Sequence, residues 1–149
     1  MLIPHGALLL VVDGGRMRLL RNRGVATTPE LEVIEDETLS NPASHLVTRD
    51  APGRNHESVG PVRHAYPAAD PHQRREDRFA QAAMEKLKSA ASKGAPVILI
   101  AAPRTLGVLR TFKDIHIEKQ ILAEIDKDLA RHKPTEIAMF LRDYRPRTS

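Results

Sequence analysis

Two runs of consecutive apolar residues dominate the hydropathy pattern of the chain. Ala7–Val12 and Val97–Ala101 contain only aliphatic side chains. Unbroken runs of this length that are rich in β-branched residues are typical of strands covered on both faces of a sheet. We therefore predict that both runs are central, buried strands.

The first third of the chain has the pattern of a three-stranded meander. Residues 13–15 read Asp-Gly-Gly, a strong hairpin signal because glycine tolerates positive φ angles. Residues 16–20 then predict the return strand, and the turn sequence Asn-Arg-Gly at 22–24 precedes a third strand at Glu30–Glu35. The acidic cluster at 35–37 is expected to close that strand.

The clearest helix is predicted at residues 71–92. Asp70, Pro71 and Gln73 form a helix-start signature with a cap, a proline at the first position and a glutamine three residues after the cap. The apolar side chains of this stretch recur on one helical face: Phe79, Ala80, Ala83, Met84, Leu87, Ala90 and Ala91. Gly94 is expected to end the helix.

The remaining elements alternate between helix and strand. A helix is expected from Pro103 to about Lys113 and a last one from Pro134 to about Leu141, while Ile121–Asp126 fits either a helix or a strand. The predicted order is β-β-β-loop-α-β-α-(β)-α, an α/β (α+β) fold with a mixed sheet and helices packed on it. We expect one domain over residues 1–142 with a long loop at 40–70, followed by a polar tail at 143–149.

The stretch Ser40–Gln73 has neither a helical nor a strand period. It holds five of the eleven prolines and four of the seven histidines. A long structureless run inside a compact domain is uncommon and is usually functional or disordered. We therefore interpret the rest of the chain as a scaffold that presents this loop.

Composition and charge narrow the class of protein. The chain has no cysteine, which excludes disulfides and thiolate metal sites. The apolar run near the start is too short for a signal peptide or a membrane span, so we predict a soluble, cytoplasmic protein with no membrane partner. The net charge is +4, and residues 74–93 carry six basic and three acidic side chains, which is compatible with a polyanionic partner or with a solvated helix face.

Candidate catalytic and metal sites are weakly supported by the sequence. Four histidines, His45, His56, His64 and His72, lack the short spacing of a helical zinc site, so no metal or other cofactor is predicted. Asp13 with Glu35 or Asp36 would make a carboxylate pair at strand ends, although the hairpin explains Asp13 better.

Arginines give the stronger candidate site. They lie in the predicted loop and at the start of the helix that follows it, where they would form a phosphate-contacting surface for RNA: Arg49, Arg54, Arg63, Arg74, Arg75 and Arg78. Tyr66 is the only aromatic residue of the loop, so base stacking would contribute little.

Several distinctive blocks of the chain resemble one bacterial family. They are IPHGALLLVVDGGRMRLLRN, NPASH, DAPGRNHES, ILIAAPRTLGVLR and AEIDKDLARHKPTEI. Over about residues 2–141 the chain resembles the host-attachment family, described as proteins required for attachment to host cells. That family is similar in turn to the middle domain of the archaeal and eukaryotic peptide-chain release factors.

The resemblance implies a strand–hairpin–strand opening, a mobile loop and a long helix, and it implies that Ile121–Asp126 is a strand. In release factors the loop carries Gly-Gly-Gln, which enters the peptidyl-transferase centre. The corresponding residues 52–57 read Pro-Gly-Arg-Asn-His-Glu, so the motif is absent and no release-factor-type catalysis is expected.

Three functions remain open from the sequence. The first is an RNA- or ribosome-binding protein that uses the loop and the adjoining helix start. The second is a hydrolase acting on peptidyl-tRNA or a related ester through Asn55, His56 and Glu57. The third is a protein-interaction module that affects attachment indirectly.

Overall fold

The computed structural model describes residues 1–39 and 71–146. This part of the chain has five strands: β1 (Leu8–Val12), β2 (Arg16–Asn22), β3 (Leu31–Thr38), β4 (Val97–Ala101) and β5 (Ile121–Ile125). Its four helices are α1 (Pro71–Ala90), α2 (Pro103–Phe112), α3 (Ile115–Gln120) and α4 (Pro134–Asp143).

The five strands form one mixed sheet in the order β3-β2-β1-β4-β5. The meander β1-β2-β3 is antiparallel, whereas β1 pairs with β4 and β4 with β5 in parallel. Strand β1 therefore lies at the junction of the two halves, with Leu10 opposite Leu19 on one side and Leu99 on the other. The predicted α+β class with a mixed sheet is confirmed.

Helices cover both faces of this sheet, which explains the two unbroken apolar runs. Leu8, Leu10 and Val12 pack towards α1, α2 and α3, whereas Leu9 and Val11 pack towards α4. Every residue of β1 and β4 is fully buried, so both predicted central strands are confirmed.

Helix α1 buries the face that its apolar period predicts. Ala80, Ala83, Met84 and Leu87 are buried against the sheet. The helix ends at Ala90, two residues earlier than expected, and Gly94 follows in the left-handed region at a φ angle of 94°. The predicted cap, Asp70, lies outside the described residues.

Two elements differ from the sequence expectation. Helix α3 was not predicted; it begins after Asp114, whose side chain accepts a hydrogen bond from the backbone N–H of Ile117. Strand β3 continues to Thr38 and includes the acidic cluster that was expected to end it. The strand tolerates these carboxylates because it lies at the edge of the sheet with most of its residues exposed, and each carboxylate also has a cationic partner: Lys86 pairs with Glu35 and Glu37, and Arg16 pairs with Asp36. The segment Ile121–Asp126, which fits either a helix or a strand by sequence, forms strand β5.

A fully buried asparagine, Asn22, forms hydrogen bonds at the end of β2 that lies away from the β1–β2 hairpin. The side chain of Asn22 donates to the carbonyl of Ile3 at 2.7 Å and accepts from the N–H groups of Gly24 and Glu30 at 2.8 and 2.9 Å. These bonds join the N-terminal segment to the turn after β2.

Candidate nucleic-acid interface

The carboxyl ends of β1, β4 and β5 meet at one edge of the sheet, because these strands are parallel. The β1–β2 hairpin, residues 13–15, and the first turns of α1 and α2 lie at the same edge. In open sheets of this kind, ligands bind outside the carboxyl ends of the strands. We call this region the carboxyl edge.

The hairpin is shaped by Asp13, as the sequence predicts. Its Oδ1 accepts hydrogen bonds from the backbone N–H groups of Gly15 and Arg16, both at 2.7 Å. The φ angles of Gly14 and Gly15 are not positive, contrary to the expectation. Gly14 lies close to α1, because a Cβ there would be 2.9 Å from the carboxyl carbon of Glu76, at the flexible end of that side chain.

The suggested carboxylate pair has no support from the contacts. Asp13 is engaged by the hairpin and faces Arg131 at 3.7 Å, whereas Glu35 and Asp36 have their own cationic partners. Within residues 1–39 and 71–146, no group of three or more histidine or acidic side chains is placed to hold a metal ion.

Described residues on both sides of the segment 40–70 lie near the hairpin. The backbone N–H of Leu39 donates to the carbonyl of Gly15 at 2.6 Å. On the other side of the segment, Glu76 in the second turn of α1 lies against Gly14. Leu39 and the first two turns of α1 therefore lie beside the same turn of the carboxyl edge.

Three of the predicted RNA-binding arginines lie at the start of α1. Arg74 and Arg78 are exposed and stand four positions apart, which puts them on one side of the helix, whereas Arg75 is partly buried. The remaining candidates lie outside the described residues: Arg49, Arg54 and Arg63 of the binding set, Asn55, His56 and Glu57 of the alternative catalytic set, and His45 and His64.

Two further cations belong to the carboxyl edge and were missed by sequence reasoning. Arg104 is exposed in the first turn of α2 and lines a narrow crevice with Gly14, Gln73 and Glu76. Arg131 is 82% exposed and lies after β5. The signal for Arg104 was its place directly after a buried strand and a helix-starting proline. Arg131 had no comparable signal, because only the fold brings it to Asp13.

A groove of about 430 Å³ lies away from these residues, between Thr28–Leu31 and α4. Pro29, Ala138 and Met139 contribute to its lining, and none of the predicted site residues does. We place the candidate interface at the carboxyl edge, because phosphate contacts need exposed cations more than a cavity.

In the described part of the chain no helix is long and apolar enough to cross a membrane.

Comparisons with curated proteins and with solved structures do not identify a function for the chain. No curated protein matches the chain. The ethanolamine utilization protein EutJ from Carboxydothermus hydrogenoformans is a similar solved structure, with 13% sequence identity and a TM-score of 0.42. The match covers 91% of this chain and 49% of that one, so the chain spans about half the length of EutJ. This likeness is too low to assign a function.

A family model is far more specific. The model described as bacterial archaeo-eukaryotic release factor family 12 matches residues 7–141, from the start of the buried β1 run to the last buried residue of α4. The match includes the hairpin, the segment 40–70 and the basic start of α1. The chain belongs to bacterial archaeo-eukaryotic release factor family 12.

Proposed function

We propose that the protein binds structured RNA, free or within the ribosome, through residues 40–70 and the basic start of α1, without release-factor-type hydrolysis. The observation that carries the proposal is the position of Arg74 and Arg78. Both are exposed at the carboxyl edge, where the described chain stops and resumes. Such a protein would act in the cytoplasm, where it meets ribosomes.

The chemistry of these residues suits a phosphate backbone. Guanidinium groups present paired N–H donors that match phosphate oxygens, and they stay charged at neutral pH. The segment 40–70 would add Arg49, Arg54 and Arg63 to the same surface. Membership of a release-factor family supports an RNA partner of the translation machinery.

The sequence argues against release-factor-type catalysis. The chain contains no Gly-Gly-Gln, and residues 52–57 offer neither the paired glycines nor the glutamine amide. We therefore expect purified protein to release no peptide from peptidyl-tRNA above background. Release that is lost on replacing Asn55, His56 and Glu57 by alanine would instead identify a hydrolase.

Binding to labelled tRNA and to ribosomes, measured over a range of salt concentrations, tests the proposal. The variant Arg74→Ala/Arg78→Ala should bind more weakly than the parent, and its log–log salt slope should flatten by about 0.7–0.9 for each phosphate that the variant no longer neutralises. Lys93→Ala/Lys119→Ala is the matched control, since it removes two exposed cations from the opposite edge.

Equal binding by the parent and the arginine variant would refute the interface. If neither protein binds RNA, protein–protein interaction becomes the better hypothesis for this surface.

A further inference from the structure

A second group of arginines lies on the α4 face of the sheet, near the carboxyl edge. Arg18 of β2 is the register partner of Asp36 of β3, and Arg16 precedes it by two positions on the same face. Arg16 donates from Nε to Oδ1 of Asp36 at 3.1 Å and from Nη2 to Oδ2 at 2.9 Å. This bidentate pair therefore occupies both carboxylate oxygens.

Arg18 is left without a full set of partners. Its side chain is 7% exposed, and its Nη1 donates to the carbonyl of His132. Its Nε is buried and has no hydrogen-bond acceptor among the described residues. The nearest oxygen of Asp36 is 3.7 Å from that Nε, beyond hydrogen-bonding distance. A buried polar group without a partner is costly and needs an explanation.

The charges of this cluster do not balance among the described side chains. Two guanidinium groups share the single carboxylate of Asp36, which leaves one positive charge uncompensated. Arg131 directly precedes His132, whose carbonyl accepts from Arg18, and its exposed guanidinium lies 3.7 Å from Asp13. Oδ1 of Asp13 is already used by the hairpin.

The electrostatics of Arg18 agree with this imbalance. Burial lowers the pKa of Arg18, the neighbouring charge of Arg16 lowers it further, and Asp36 offsets these effects only in part. The group still carries its proton at neutral pH. Another anion at this position would supply the missing compensation.

We propose that Arg16, Arg18 and Arg131 form an oxyanion site for a phosphate group, supplied either by free phosphate or by a nucleic-acid backbone. A tetrahedral oxyanion accepts several N–H donors at once and suits guanidinium groups that approach from different elements. Arg16 and Arg18 lie on the sheet face opposite to α1, whose arginines carry the proposed function, so the site does not depend on that function.

Titration with inorganic phosphate at constant ionic strength, followed by amide chemical shifts and by calorimetry, tests this site. The parent should bind phosphate, and Arg18→Met should lose that binding. Asp36→Asn removes the competing carboxylate, so it should tighten phosphate binding by about fivefold or more. Arg23→Gln, which changes an exposed arginine at the other end of β2, should bind as the parent does.

The test stays decisive if Arg18→Met does not fold, because Asp36→Asn is expected to bind phosphate more tightly than the parent. Unchanged or weaker phosphate binding by Asp36→Asn would overturn the proposal, as would parent-like binding by a folded Arg18→Met variant.

Repeating the titration with a short single-stranded RNA identifies the source of the phosphate. Tighter binding of both ligands by Asp36→Asn supports a site for backbone phosphate, and tighter binding of inorganic phosphate alone supports free phosphate. The Arg74→Ala/Arg78→Ala variant should keep its affinity for inorganic phosphate, so a failure of the RNA proposal and a failure of this site are distinguishable.

Discussion

At the scale of single residues, Gly14 and Gly24 both lie close to other atoms of the chain, and neither has a positive φ angle. A Cβ at Gly24 would lie 2.5 Å from the carbonyl oxygen of Thr28 and 2.9 Å from the backbone nitrogen of Glu30. Both obstacles are backbone atoms of a turn whose N–H groups, at Gly24 and Glu30, donate to the Asn22 side chain. The obstacle at Gly14 is the flexible end of the Glu76 side chain.

This contrast predicts two different costs for the same substitution. Gly24→Ala should destabilise the fold by more than about 2 kcal/mol, because backbone atoms must move. Gly14→Ala should cost less than about 1 kcal/mol, and the added change Glu76→Ala should recover most of that loss. Urea unfolding of the four proteins measures these differences, and equal costs at the two glycines would contradict the steric argument.

At the scale of elements, β4 and β5 offer a matched comparison within one parallel pair. Ile98 of β4 is fully buried, whereas Leu122 of β5 is 49% exposed at the edge of the sheet. Ile98→Asp should unfold the domain, because an unpaired buried charge costs several kcal/mol against a total stability of roughly 5–15 kcal/mol. Leu122→Asp should remain folded. A cooperative thermal transition of Ile98→Asp near that of the parent would refute the central position of β4.

The ion pairs of Glu124 in β5 with Arg110 and Lys113 should make the stability of the fold depend on pH in the acid range. Burial alone would raise the pKa of Glu124, but hydrogen bonds from Lys113 at 2.8 Å and Arg110 at 2.6 Å leave it below its ordinary value. A carboxyl group with a lowered folded-state pKa stabilises the fold above the unfolded value of about 4.3, and this stabilisation is lost as the pH falls.

Glu124→Gln should therefore melt at a lower temperature than the parent at pH 7, and this difference should disappear as the pH falls below the folded-state pKa of Glu124. Calorimetry from neutral to acid pH checks the convergence. A constant difference over the whole range would mean that the two ion pairs contribute nothing to stability.

The sequence predicted those elements whose signal lies within one segment. The sequence predicted β1 and β4 from their apolar runs, because a strand buried on both faces contains only apolar residues. It predicted α1 from its periodic apolar face, because a helix buried on one face repeats apolar residues every three or four positions. Helix α3 is too short for a period, and its signal was the single cap Asp114. The full length of β3 is set by its pairing with β2 at the exposed edge of the sheet, which no local pattern reveals.

The same limit applies to the candidate sites. The α1 arginines were found because they cluster along the chain. The oxyanion cluster was missed because Arg18, Asp36 and Arg131 come from β2, β3 and the segment after β5. The sheet register pairs Arg18 with Asp36, and only the tertiary fold brings Arg131 to Asp13.

At the scale of the whole molecule, the segment 40–70 should matter more for binding than for folding. Its composition gives it little means of forming a core, and its flanking residues already meet at the hairpin. Replacing Asn41–Ala69 by a short Gly/Ser linker should shift the melting temperature only slightly and should remove RNA or ribosome association. A shortened protein that sediments with ribosomes as the parent does would refute this division of roles.

The position of β1 between two differently paired neighbours has a consequence for synthesis. Its partner β2 begins three residues after β1 ends. The other partner, β4, is complete only at residue 101, nearly ninety residues after the end of β1, which takes about 4–18 s at typical rates of translation. During that interval an apolar strand has one open edge, which is a template for aggregation. A fragment that ends at Gly94 should therefore be insoluble when expressed alone, and nascent chains of this length should recruit chaperones.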